Sequence, residues 1–471
     1  MDPQLIDPEN GDYRLAPGSP AEGYGCLTFA GDGYVQREGN KSRHLLRGLR
    51  EESIDVWGDI DGNTTWDADT VRVLGDLTVL DGVTLSITPG CRVEFVGHHR
   101  LSVEGRIQAL GSPEERIVFT SADPSGFAPD STLTGAWDGI HFPGTSALNE
   151  PSTFAYCLIE YSKALRDTAM IGAMEVDRFS KLNVINTIYQ NNVADWGAAL
   201  YCIGASAPRL IGCLITNNVA FTGGSAVYST DAYPRLIACT IAGNHDLNPE
   251  PYATTAPVMS MVSKPQTSGS ILWDNSSSFL WPIQLFEAKE YYTRYCNVEG
   301  GFRGEGCIDL YPFFAFEEGE HPFELLEASP CIDAGPLDVS ELNLPALDLA
   351  GRPRIMGDRV DMGAYEYQGP TDVSSTGATS IALSSFPNPF NPSTEIHFQL
   401  REDEWVTVAI FDSKGERVRT LIERSYLRAQ DYRVLWDGRN EQGQSLASGV
   451  YLARPHLGDR NSHSKKMLLL K

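Results

Sequence analysis

One pattern returns along the middle of the chain. Asn186-Thr-Ile-Tyr-Gln-Asn191, Cys213-Leu-Ile-Thr-Asn-Asn218 and Cys239-Thr-Ile-Ala-Gly-Asn244 follow one another at offsets of 27 and 26 residues. Cys157-Leu-Ile stands 29 residues before Asn186, Ser270-Ile-Leu-Trp-Asp-Asn275 stands 31 after Cys239, and Cys296-Asn-Val follows 26 later. A second series, Met174, Leu200 and Val227, is spaced by 26 and 27. Units this short cannot bury an apolar face alone, so neighbours must stack to make a core. Within each unit apolar and polar residues alternate, as at Leu214/Thr216 and Leu200/Cys202, and Asn, Gly or Pro follow. That is strand punctuation without helical spacing. Two or three short strands per repeat and no helix predict an all-β chain built on a right-handed parallel β-helix. The Asn that ends each short strand tolerates a left-handed corner, and stacked Asn side chains can hydrogen-bond along the axis.

The repeat also accounts for the cysteines. Nine is an odd number, which argues against a complete disulfide framework. Cys157, Cys213, Cys239 and Cys296 occupy one point of the repeat, as small buried residues in a ladder. A metal site would need CxxC or nearby His partners, and neither is present. Cys26, Cys307 and Cys331 fall in turns, where a bridge between some of them stays open.

Charge excludes some partners. A net charge of -25 disfavours nucleic acid and anionic membranes. No apolar run of about 18 residues offers a membrane span. Met1-Asp-Pro-Gln is not a signal peptide, since a basic start and an apolar stretch are lacking.

Residues 1–25 and 309–335 share Asp-x-x-apolar, a Gly turn, an alternating strand and a Ser-Pro step at Ser19-Pro20 and Ser329-Pro330. Residues 1–25 therefore read as the closing segment of an upstream β-helix of which most is missing. A linker with a basic patch (Lys41, Arg43, His44, Arg47, Arg50) follows over 26–53. The main β-helix is expected over 54–335, with alternating stretches parted by Asp-Gly, Pro-Gly and Gly-Ser turns. Asp59, Asp61 and Asn63, with Asp67 and Asp69, have the look of a Ca2+ loop. However, Thr64 stands where such a loop needs Gly and Thr70 where it needs Glu, which favours an exposed turn.

Thr84-Leu-Ser-Ile-Thr-Pro-Gly90 and Trp137-Asp-Gly-Ile-His-Phe142 resemble the opening strands of secreted bacterial β-helix proteins. Ser329-Pro-Cys-Ile-Asp-Ala-Gly335, Asp348-Leu-Ala-Gly-Arg-Pro-Arg354 and Asp361-Met-Gly-Ala-Tyr-Glu-Tyr367 resemble the terminal segment of surface-anchored members. Residues 336–368 are thus a closing tail, and Asp333 just before it is expected to pair with Asp348, Arg352, Arg354 and Asp361 so as to pin it to the last repeat. A Ser/Thr/Gly linker covers 369–385. Over 386–471, six or seven short alternating strands predict a small Ig-like sandwich. Phe386-Pro-Asn-Pro-Phe-Asn-Pro-Ser393, Trp436-Asp-Gly-Arg-Asn440, Ser448-Gly-Val-Tyr-Leu452 and Lys466-Met-Leu-Leu-Leu-Lys471 resemble the C-terminal sorting domain of the type IX secretion system and the Ig-like domain of flagellar hook-capping proteins. The resemblance implies a domain read by an outer-membrane translocon, and so a secreted protein, extracellular or at the outer cell surface.

Parallel β-helices serve as polysaccharide-cleaving enzymes or as passive binders, and the fold does not choose. A hydrolase needs clustered carboxylates as acid and base. The Asn-Thr-Asp, Asp-Asp and Gly-His-Asp motifs of polygalacturonases are missing, and Gly243-Asn-His-Asp246 breaks the last. No catalytic residue, cofactor or resident metal is therefore assigned. Candidate ligand residues are the Tyr201 and Tyr228 pair, suited to sugar-ring stacking or simply to a strand surface, and the cations Arg209 and Arg235, with Lys181 placed one repeat earlier. Residues 245–295 break the period, and Trp281 in this insertion is a further candidate, since solenoid insertions often bind. The expectation is a monomeric scaffold for adhesion or glycan binding, with a carbohydrate-active lyase or hydrolase as the alternative.

Overall fold

The computed structural model describes residues 5–7, 12–15, 51–166, 169–247, 256, 258–261, 263, 265–275, 283–286, 292–315, 321–327, 329–369, 383–388, 390–400, 403–412, 417–457, 460–461 and 465–469. The chain divides into two compact units, Met1–Glu52 and Ser53–Lys471. In the first, Leu5–Asp7 pairs antiparallel with Asp12–Leu15. The rest of the 1–25 segment, Cys26 and the basic patch lie outside the described residues. The expected linker does not extend to 53, because a strand spans Glu51–Ile60.

The second unit is all β among the described residues, with no helix to cross a membrane. Over 64–298 most strands fall in three long ladders, pairing in parallel from one repeat to the next, and a shorter fourth joins Val193–Trp196, Val219–Gly223 and His245–Asp246. One ladder runs Thr84–Ile87, Arg106–Leu110, Ser152–Ala155, Leu182–Ile185, Arg209–Ile211, Arg235–Ile237, Gln266–Ser268, Tyr292–Arg294. A second includes Cys157–Glu160, Ile188–Gln190, Leu214–Thr216, Thr240–Ala242 and Ile271–Trp273. A third includes Met174–Asp177, Leu200–Ile203 and Val227–Thr230. Alternation sets what each strand buries: Leu210, Leu236, Ile215, Ile241 and Leu200 point into one continuous apolar core.

Register corrects the letter-based alignment by one residue. Ile188 pairs with Leu214, so Thr187, and not Asn186, is the counterpart of Cys213. The laddered amide is likewise Asn192, not Asn191. Asn192, Asn218 and Asn244 each donate through Nδ2 to the Oδ1 of the next member, ending at Asn275, at 2.9, 3.0 and 2.9 Å. The residue before each takes the left-handed corner: Asn191, Asn217, Gly243 and Asp274, with φ of 55, 54, 69 and 52°. A similar division holds at the other corner. Asn186, Gly212, Ala238 and Gly269 have positive φ, and the following Thr187, Cys213, Cys239 and Ser270 are buried. Ser270 Oγ accepts the Cys239 N–H at 3.0 Å, and Thr187 Oγ1 that of Cys157 at 3.2 Å. All eight described cysteines are free thiols.

The tail does more than meet the last repeat. Asp361 takes the Asp333 N–H at 2.7 Å, as expected, but Arg352 pairs with Glu324 at 2.8 Å and the buried Arg354 with Glu366 at 3.3 Å. Further along, Ala364 N donates to Thr240 Oγ1, and the Asp348 carbonyl accepts Tyr156 OH at 3.0 Å and Asn186 Nδ2 at 3.2 Å. Leu349 O accepts from Arg116, and a side chain at Gly351 would strike Pro113. The tail thus straps the outside of several repeats.

The C-terminal sandwich pairs a sheet of Ser384–Phe386, Thr394–Gln399 and Asp431–Trp436 with a second of Glu404–Phe411, Arg417–Leu427, Gly449–Leu457, Arg460–Asn461 and Lys465–Leu469. Its first strand begins before residue 386, inside the stretch expected to be linker. Phe390, Ile396, Val408, Trp436 and Met467 form its core. Tyr451 OH donates to the Ala447 carbonyl four residues upstream, the corner bond of Ig-like folds.

Candidate functional site

Three outward surfaces carry the chemistry. On the third ladder Glu175, Tyr201 and Tyr228 lie in register on successive strands. The tyrosine rings stack on each other at 5.4 Å and 12°, and Trp196 leans on Tyr228 at 4.9 Å. Tyr228 is only 7% exposed. Burial, then Tyr201, pushes its phenol up. The pair exists, but its rings spend faces on one another, which leaves mainly the half-buried Tyr201 to a ligand.

One strand earlier, His141 pairs in register with Glu175. Its Nδ1 lies 3.0 Å from Glu175 Oε2 and its Nε2 2.6 Å from the Asp138 carbonyl, so Nε2 must carry a hydrogen. Asp138 in turn holds Arg100 at 2.6 Å and the Leu165 N–H at 2.5 Å. Glu160 accepts from Thr120 at 3.2 Å and Gln190 at 2.9 Å. Lys163, with a fully buried side chain, reaches Asp130 Oδ1 at 3.1 Å and the Thr132 carbonyl at 2.5 Å beneath the 122–139 connection. These groups hold that connection against the sheet. Asp246 differs: Oδ1 takes the Ser225 N–H at 2.9 Å, while the buried Oδ2 has no partner. Burial pushes its carboxyl up to about 7. Among the described residues no group of three His, Cys, Asp or Glu could hold a metal. Asp59 and Asp61 are exposed, and Asn63 Oδ1 accepts the Thr84 N–H at 2.8 Å, tying its turn to the next repeat.

The cation row lies on the first ladder. Arg209 pairs in register with Arg235, then come Gln266 and Tyr292. Lys181 is not a member: Asn183 is the partner of Arg209, and Lys181 Nζ reaches the Asn149 carbonyl at 3.2 Å. Proline and Leu-Ile spacing placed it two residues out. Arg209 is engaged by the strap, donating to Leu342 O at 3.2 Å, and burial, then Arg235, lowers its pKa. Arg235 is exposed. It opens onto a cleft of about 290 Å³ lined also by Gln266, Ser268, Tyr292, Arg294 and Glu341. Sequence reading expected a site beside the 245–295 insertion, to which Tyr292 belongs, but did not single out Gln266, Ser268, Arg294 or Glu341. Their signal is positional: Gln266 and Tyr292 stand four before Ser270 and Cys296, as Arg235 stands four before Cys239. Trp281 lies outside the described residues.

Residues 388–454 match the family model of the FlgD Ig-like domain, well short of half the chain. No curated protein matches. Among solved structures, dimeric latent PorU from Porphyromonas gingivalis is similar at 26% identity, with a TM-score of 0.18, covering 19% of this chain and 9% of that one.

Proposed function

We propose that residues 54–335 wind into a closed right-handed parallel β-helix that acts as a secreted, cell-surface scaffold for adhesion or glycan binding. In this reading 386–471 address the chain to a secretion translocon, as their sorting-domain motifs suggest, and the scaffold works as a monomer. The observation that carries binding is the open polar cleft beside Arg235 on the first ladder, where donors, an acceptor and an aromatic ring converge on one small concavity. The test is a glycan array probed with the purified full chain, spanning neutral and acidic polysaccharides. Retention of at least one glycan class is expected, and a blank array sinks the reading.

A further inference from the structure

We infer that the Arg235–Arg294 cleft is a binding site for an anionic saccharide, one sugar ring carrying a carboxylate or sulfate; this rests on the glycan-binding reading above. Three kinds of group meet there. The first is positive charge. Arg235 and Arg294 are both exposed, two strands and two residues apart, so their backbones stand roughly 12 Å from each other at the usual strand spacing and rise. Arg235 stands beside Arg209, and Arg294 acts on the Asp338 carboxylate, which Ser340 holds down first and Arg294 after it. In a chain of net charge -25, exposed guanidinium groups gathered on one cleft are a local exception. A guanidinium forks onto carboxylate or sulfate oxygens with two parallel bonds.

The second is a ring. Tyr292 borders the cleft with 55% of its surface exposed, which gives a pyranose an apolar face to lie on. The third is neutral polar capacity. Gln266 lies in register between Arg235 and Tyr292, and can both donate to and accept from sugar hydroxyls. Ser268, in register between Ile237 and Arg294, has a buried hydroxyl without a partner and is 7% exposed. A buried hydroxyl left unpaired is costly, and a ligand hydroxyl reaching the cleft floor would satisfy it. Glu341 on the rim accepts from hydroxyls and repels extended polyanions. Nucleic acid, which needs a run of cations along phosphates, does not fit two guanidinium groups under such a net charge. The size fits too: about 290 Å³ sits at the small end of ligand sites, enough for a ring but not for a buried chain.

The experiment uses the full chain and isothermal titration with trigalacturonate, a sulfated chondroitin oligomer and neutral cellohexaose. Trigalacturonate, which carries carboxylates only, or the sulfated oligomer, which carries both carboxylates and sulfates, is expected to bind; binding of the sulfated oligomer alone assigns the sulfate, and binding of trigalacturonate assigns the carboxylate. Arg235→Ala and Arg294→Ala should each weaken that binding about tenfold. Arg235→Lys, which keeps charge but loses the fork, should fall in between. Unchanged melting temperatures will show that the variants fold. Acidic-sugar binding that survives the double Arg→Ala variant overturns the cleft assignment. So does a wild-type protein that binds only cellohexaose, although the glycan-binding reading then stands. Binding of none of the three, with a blank array, removes both.

Discussion

Cys307 shows how much one neighbour does. Its half-buried thiol is pulled down to about 7, first by a hydrogen bond from Cys296, which outweighs the opposing effect of burial. The other seven described thiols are buried. Thiolate is the nucleophile, and an ordinary cysteine titrates near about 8.5. Cys307 should therefore be alkylated by iodoacetamide first among these eight, with a rate that rises through about pH 7 and levels above it. Mass mapping after a short pulse, with Cys307→Ser as control, checks this; a fast site elsewhere, or a midpoint near about 8.5, counts against it. The ladder cysteines were legible from spacing alone. Cys307 was legible only as a turn residue, because its partner comes from the chain folding back so that Ile308 N meets the Cys296 carbonyl.

At the scale of elements, strands and corners were readable and their register was not. Short alternating strands expected over 386–471 are present, among them Arg417–Leu427 and Lys465–Leu469. Alternation had already defined which face each would bury. The repeat misled by one residue because Asn191-Asn192 and Asn217-Asn218 present two asparagines per corner. Letters do not say which one turns the chain and which one joins the ladder. Hydrogen bonds do. Asn218 donates to the Tyr189 and Thr216 carbonyls and to Asn244, while its Oδ1 accepts the Asn192 N–H. All of these atoms are removed from water. Asn218→Ala should cost about 3 kcal/mol or more, since each stranded buried group costs about 1–3. Asn217→Gly should be nearly neutral, because that site asks only for a left-handed backbone. Urea denaturation of both variants compares them, and equal losses would refute the division of labour.

At the scale of the whole molecule the chain joins a repeat stack to a small domain with its own core. If 386–471 are an address, they should work on other cargo. Fused to a folded reporter in a host with a type IX translocon, they are expected to carry it out of the cell, while the chain lacking them stays behind. Intracellular retention of the fusion, confirmed folded, would withdraw the export assignment. The cation row was only partly legible at this scale. The strap, 133 residues beyond Arg209 in sequence, claims that side chain and leaves Arg235 open.

The strap also changes how the stack should come apart. A stack whose repeats touch only their neighbours can fray from its ends, one repeat at a time. Here Gly351 rests on Pro113, Asp348 on Tyr156, and Gly363 on Gly269. Repeats that never meet share one splint. Damage near Pro113 would loosen the grip on the far repeats, and melting should be a single event instead of a progressive unzipping.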